Sequence, residues 1–302
     1  MNLSTTAPTF LRQPHIIRHR YSSSSSSYFG FSKKENYKRC RFIALASFSS
    51  SSYSLPELEL PLLPFPKDQV LVPSEAKKLH LHEARYLALL EESLFQNKSL
   101  FVHFVLDPIA VNETLREASF AARYGCLVSI EKVEQLDVGA LVFIRGIGRV
   151  KIVKFAQEEP FLHGAVVPVK DRILHEATEL NPKVLQLKEA IQNLNSLEIK
   201  LKAPEEALLQ TQTANSLNWA EKAPGLDCDE SFVPSLAERI SFAAYQPVSG
   251  SMQSELTKLQ EEKLKAMDGK DTLERLRNSL EFVNNNISVV AAKLALQSLK
   301  GQ

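Results

Sequence analysis

The sequence predicts an α+β chain: a bent β-sheet or pseudo-barrel carrying one packed helix, followed by a helical subdomain. Three observations predict it. Short apolar runs of period two, separated by turn residues, fill residues 58–173, the pattern of a small, strongly bent sheet. From 175 to 302 the apolar residues recur instead at spacings of three and four, the period of packed helices. Between these regimes the stretch LHLHEARYLALLEESL, residues 79–94, reads as a strand running straight into the one helix of the β-rich part.

Composition sets the frame. A chain of 302 residues that is 44% hydrophobic can bury a substantial core. No apolar run reaches the roughly 18 residues of a membrane-spanning helix. The near-neutral net charge of +1 hides an asymmetry: the first 54 residues hold eight Lys and Arg against the single acid Glu35, leaving 28 basic against 34 acidic residues for the remainder. That mildly acidic remainder gives no electrostatic reason to expect nucleic acid. Cys40, Cys126 and Cys228 form no C-x-x-C pair, which disfavours a disulfide framework or zinc knuckle and fits a reducing compartment. Cys126 reads as a small buried hydrophobe, Cys228 as an exposed thiol.

Residues 1–54 are dominated by serine, with runs at Ser22–Ser27 and Ser49–Ser52 interleaved with arginine. Such a segment cannot build a core and is expected to be disordered. It lacks the apolar centre of a secretory signal, and its Ser-rich, Arg-containing, acid-poor make-up is that of an organellar transit peptide. The expected address is the chloroplast stroma, with the mitochondrion as the alternative.

In the β-rich part, residues 55–174, Leu58, Leu60 and Leu62 alternate with Glu59 and Pro61; the prolines at 61, 64 and 66 argue for a broken edge strand. Val70-Leu71-Val72-Pro73 reads as a second short strand, leading into the 79–94 junction. There Glu83 places a carboxylate at the first helical turn, and Tyr86, Leu90 and Leu94 form the buried stripe. Phe101–Leu106 is a further strand, ended by Asp107-Pro108. Residues 109–124 are ambiguous, with Leu115, Ala118 and Ala122 at helical spacing but few anchors. Strands are expected at 127–133, 141–144, 149–155 and 161–169, with Gly146-Ile147-Gly148 as a hairpin turn and Arg145 and Arg149 as its solvated flanks.

In the second part, Val184, Leu187, Ile191 and Leu194 mark one helix and residues 210–232 read as a polar loop, with 175–232 as a whole a possible insertion. Residues 233–302 carry the rest of the helical subdomain. Pro234 suits the start of a helix over 236–245, Leu256, Leu259 and Leu264 mark the next, and Asp271 with Glu274 can cap a last one. Leu273, Leu276, Leu280, Val283, Ile287, Val290 and Leu294 then alternate by three and four as a seam, suited to a helical bundle and, as a further possibility, to self-association through 273–294.

Several of these blocks carry a family resemblance. Leu79-His80-Leu81 with Glu83-Ala84-Arg85-Tyr86 resembles the L-H-I-F-E-P-R-Y signature of the N-terminal substrate-binding domain of Lon proteases. The run V-S-I-E-K-V-E-Q-L-D followed by L-V-F-I-R-G-I-G-R-V-K-I-V is similar to that domain's acidic turn and R-G-x-x-R-F-x-I strand, with Arg145, Gly146 and Arg149 in the matching places. Leu236, Ala237 and Ile240, then Asp271, Arg275, Leu276 and Leu280, are similar to its helical part. Ser74 stands where the family has Gly after Pro73, and Ala84 where it has Pro. The resemblance implies the fold predicted above and a non-catalytic polypeptide-binding module, an adaptor or scaffold in organellar protein quality control. An accessory subunit of an ATP-dependent protease is the alternative.

No G-x-x-x-x-G-K-[ST] string exists to hold nucleotide phosphates, no G-x-S-x-G, and the sequence shows no third ligand to join His80 and His82 at a metal. No cofactor, metal or catalytic residue is therefore expected. The candidate polypeptide-binding or structural residues are His80, Glu83, Arg85, Tyr86, Arg145 and Arg149, and the expected partners are polypeptide clients or a protease or chaperone complex.

Overall fold

A computed structural model describes residues 39–44, 56–112, 117–201, 211–222, 225 and 227–300. Strands come first: β1 (Arg39–Ala44), β2 (Leu58–Phe65) and β3 (Ala76–Leu81), then the helix α1 (Ala84–Phe95), then β4 (Leu100–Asn112), β5 (Glu117–Gln135), β6 (Ala140–Gln157) and β7 (Leu162–Pro168). Helices follow: α2 (Ala177–Leu201), α3 (Gln212–Glu221), α4 (Leu236–Ala243), α5 (Gln253–Asp268) and α6 (Thr272–Lys300). The chain is thus α+β, as its two apolar periods predict.

The strands form one mixed sheet in the order β1-β5-β4-β2-β7-β6-β3, and an additional β5–β6 pairing closes β5, β4, β2, β7 and β6 into a ring. Among the described residues only β1–β5 and β2–β4 run parallel. Register shifts near Ile130 and Ile152 insert the bulges that bend β5 and β6 enough for closure.

Several expectations are corrected here. β2 is central, not an edge: residues 58–62 pair with β7 and residues 62–65 with β4, so most of the strand is bonded on one side only. That split gives Pro61 and Pro64 somewhere to leave their missing donors. Val70, Leu71 and Val72 are buried but form no strand; a short 3-10 turn at 67–69 precedes them, and they pack irregularly with Phe65, Leu89 and Tyr245. Apolar runs are needed by any buried segment, so period alone could not separate this one from a strand. The ambiguous 109–124 region belongs to the long β4–β5 hairpin. The leader expected to be without structure contributes β1; its residues 1–38 and 45–54 lie outside the described ones.

Gly146-Ile147-Gly148 is not a turn but lies inside β6. On one side β6 pairs with β3 up to Arg145 and with β7 from Val150, so between them it has no strand neighbour there. Two loops fill the gap. The 72–75 loop bonds to Gly146 in both directions (Ser74 N to Gly146 O, 2.8 Å; Gly146 N to Glu75 O, 2.9 Å). A Cβ on Gly146 would sit 2.4 Å from the Val72 carbonyl, and one on Gly148 2.3 Å from that of Phe232. The glycines serve close approach rather than chain reversal. Ser74, at the family's Gly position, keeps the left-handed conformation with φ 67°.

In the helical part the predicted seam is real and already filled. Leu276, Val283 and Val290 of α6 pack fully buried against Leu187, Ile191 and Leu194 of α2. These seam positions are therefore not available to a second copy of the chain. The supposed loop at 210–232 contains α3, capped by Thr211, whose hydroxyl accepts from Ala214 N at 3.2 Å. Its inward face is Thr213, Ser216, Leu217 and Ala220, so half of its buried stripe is polar and escaped the hydrophobic pattern. α4 lends Phe242 and α5 lends Leu259, Ala266 and Met267 to the core beneath α1, joining the helices to the ring.

Candidate functional site

The six residues singled out by sequence separate into two groups. His80, Glu83, Arg85 and Tyr86 gather at one exposed end, where β3 passes into α1 beside the β5–β6 turn. His80 Nε2 lies 3.0 Å from the Val138 carbonyl and steadies that turn. Glu83 is the first residue of the helix start, but its carboxylate does not cap: it accepts from Arg85 Nε at 2.7 Å, and its main-chain carbonyl takes the N–H groups of Tyr86 and Leu87. The Arg85 guanidinium lies 4.5 Å from the Tyr86 ring centroid, and burial, largest among several influences, raises the phenol's pKa. Of the predicted helix stripe, Leu90 is buried while Tyr86 and Leu94 are half-buried at the rim of the core, which Leu89 completes. Val138, 69% exposed, stands next to this cluster with Leu136.

Arg145 and Arg149, expected to be solvated, are buried. Once Gly146–Gly148 is strand rather than turn, its flanks point into the packing between sheet and helices. Arg145 donates to Glu131 Oε1 at 2.8 Å and to the Ser74 carbonyl at 3.0 Å. Arg149, 2% exposed, donates to the carbonyls of Met267 (3.1 Å) and Gly269 (2.5 Å), to Asp171, and to Glu238 Oε1 (2.9 Å). Asp171 also accepts from Arg275 and from Thr272 (2.5 Å), and Arg275 lies 4.3 Å from the Phe242 ring centroid. Desolvation opposes charge on Asp171, yet the Arg275 hydrogen bond and the two guanidinium charges hold its pKa below the usual carboxylate value. For Glu238 desolvation wins and raises it. Two arginines and two carboxylates thus tie β6, the connector at 171, α4 and α6 together. Such an arrangement fixes geometry through charge-assisted hydrogen bonds; its ions are spent on each other.

A second buried pair lies nearby. Lys263 of α5 donates to Glu75 Oε1 at 2.6 Å, while Glu75 Oε2 accepts from Val72 N at 3.1 Å. Burial, aided by the Lys263 charge, brings Lys77 down to about 8. His103 stacks on Phe65 with ring centroids 3.8 Å apart, and burial holds it neutral. Cys126 is buried as expected, its thiol pKa raised by desolvation; Cys228 is half-buried rather than exposed, and burial raises it as well. Among the described residues no group of three His, Cys, Asp or Glu could hold a metal ion.

An accessible concave feature is a groove among the 246–251 loop, α5 and α6. Its apolar floor comes from Val248, Leu256, Leu259, Phe282 and Val289, and Asn285 and Asn286 supply amides at its side. Lys293 closes one end, donating to Glu255 (3.1 Å) and to the Gly250 carbonyl (3.1 Å). At about 120 Å³ the groove is far smaller than the roughly 300–1,000 Å³ of a small-molecule site, but it suits one or two side chains of a longer ligand. Sequence reasoning missed it. A second stripe, Phe282, Val289 and Leu296, repeats every seven residues beside the seam and was the available signal.

A closed β-ring locked by buried arginines onto a helical subdomain, with an open charged end and a shallow amide-edged groove, defines a two-part α+β domain built to present surfaces. The model of the ATP-dependent protease La (LON) substrate-binding domain matches residues 59–285, and the chain belongs to that family. Among solved structures it is similar to a Lon N-terminal domain protein from Xanthomonas campestris (17% identity, 73% of this chain and 96% of that one, TM-score 0.40). It is also similar to the N-terminal domain of the Mycobacterium avium complex Lon protease (14%, 75% and 98%, TM-score 0.42). No curated protein matches the chain.

Proposed function

We propose that this chain is a non-catalytic polypeptide-binding module, an adaptor or scaffold in organellar protein quality control, working in the chloroplast stroma behind a cleaved leader. The observation that carries the reading is its membership of the Lon substrate-binding family over residues 59–285. The geometry supports it: the α5–α6 groove pairs an apolar floor with Asn285 and Asn286, which suits an unfolded segment offering apolar side chains and unpaired backbone together. Clients are polypeptides with exposed apolar residues.

The test is fluorescence anisotropy with a labelled, reduced and carboxymethylated lactalbumin against the same protein in its native fold. Binding of the unfolded form alone supports the reading; equal or absent binding of both overturns it. Hydrolysis of the probe by the purified chain, with or without ATP, would overturn the non-catalytic part. Import of the full chain into isolated chloroplasts with loss of about 50 residues supports the address, and import only into mitochondria overturns it.

A further inference from the structure

β6 abandons β5 at Val150. Up to that residue it pairs with β5, its last partner being Gly125; from there it pairs with β7 and closes the ring. Gly125 marks the crossing, since a Cβ there would lie 2.7 Å from the Val150 carbonyl. The outer part of β5, residues 117–122, still pairs with β4 on one side, but on the side that β6 has left it would present a bare row of N–H and C=O groups. β1 occupies that row. Its six residues run parallel to β5, from Arg39 opposite Glu117 to Ala44 opposite Ala122.

The acceptor strand reads E-A-S-F-A-A, small residues apart from Phe120, with one charge and neither lysine nor proline. The sheet's other terminal strand, β3, carries the exposed Lys78, the kind of charge with which natural edges discourage pairing. One end of the sheet therefore carries an exposed charge and the other is covered by β1. β1 comes from the basic, Ser-rich first 54 residues and pairs in the parallel mode, slightly the weaker per residue. Strand addition recognises backbone and tolerates many sequences.

We propose that the outer edge of β5, residues 117–122, is an acceptor for an extended segment of client polypeptide, covered by β1 in the full chain and opened when β1 is displaced or removed with the leader. This rests on the polypeptide-binding reading and adds a backbone-recognising surface to the groove. While β1 is seated, the apparent affinity for client falls in proportion to the fraction of open edge.

The test uses the full chain with Ala118→Cys. Cys40 stands opposite Ala118, and neighbouring strands lie about 4.8 Å apart, within disulfide range. Oxidation is expected to join Cys40 to the introduced thiol, identified by peptide mass mapping, and to lower affinity for labelled, carboxymethylated lactalbumin at least tenfold. Reduction restores binding, and the wild-type chain under the same oxidant is unaffected. In a second variant, Arg41→Pro with Ile43→Pro, β1 loses two donors while the ring is untouched, and severalfold tighter binding is expected. Failure of the disulfide to form, or locked protein binding within twofold of reduced protein, overturns the proposal while leaving the functional reading intact. No binding by either variant or the wild type overturns both.

Discussion

The exposed cluster of Glu83, Arg85 and Tyr86 and the buried one of Arg149, Asp171, Glu238 and Arg275 use the same chemistry, guanidinium against carboxylate with an aromatic ring beside it. Their surroundings make them opposites. At the open end the partners are one-third to one-half exposed, and solvent competes for every bond. Between ring and helices the partners are at most 6% exposed, so each ion depends on the others to offset its desolvation. A charged motif residue therefore says little about its role until its burial is known.

The comparison breaks most visibly at Arg149. Arg149→Ala leaves Asp171 and Glu238 facing one cation instead of two and is expected to cost about 3–5 kcal/mol, read by urea unfolding. An effect below about 1 kcal/mol would mean that the cluster is hydrated. Acid sharpens the same contrast. Below about 6.5 the unfolded chain protonates His103 while the native chain, with its depressed pKa, does not. Stability then falls by about 1.4 kcal/mol per pH unit as pH drops from there towards the folded value. His103→Met should flatten that slope. Asp171, also depressed, adds a loss below about 4, whereas Glu238, raised, works against it.

At the groove, Val289→Asp places a charge on a surface position that is 40% exposed and is expected to weaken client binding about tenfold, roughly 1.4 kcal/mol, with an unchanged melting temperature. Unchanged affinity would move the client elsewhere. The smallest effect belongs to the open end: Arg85→Ala should alter stability by less than about 0.5 kcal/mol, and a larger loss would show that the cluster carries structure. His175 offers a companion check. Hydrogen bonds that it donates first to Glu179 and then to Asp271 raise its pKa, so its link between α2 and α6 is complete below about 6.5 and lost as pH rises through the folded value. Proton NMR of His175 in Glu179→Gln should show the value returning towards normal.

How far these features could be read from sequence follows the same division. Strand-to-helix entry at 79–94, the α2 stripe and the α6 seam are local patterns with large apolar residues, and they were legible. The central place of β2 was not, because its prolines signal an edge unless one knows that two strands share its length. The burial of Arg145 and Arg149 is hidden by Gly146 and Gly148: two glycines between strands suggest a turn, and nothing local reveals that loops from 72–75 and 232–234 press against them. α3 was hidden by Thr213 and Ser216, buried polar residues that no hydrophobic period records. The groove needs residues from 246–251, α5 and α6 at once, which only the fold brings together.

The ring also sets a timetable. β2 finds its β7 partner, Leu58 opposite Val166, across more than a hundred intervening residues, whereas the β5–β6 hairpin joins neighbours. On a ribosome adding residues from the amino end, β2 would emerge early and wait unpaired on that side until β7 appeared. The long β4–β5–β6 meander is then the natural nucleus, and the strand nearest the leader is the last wall of the ring to settle.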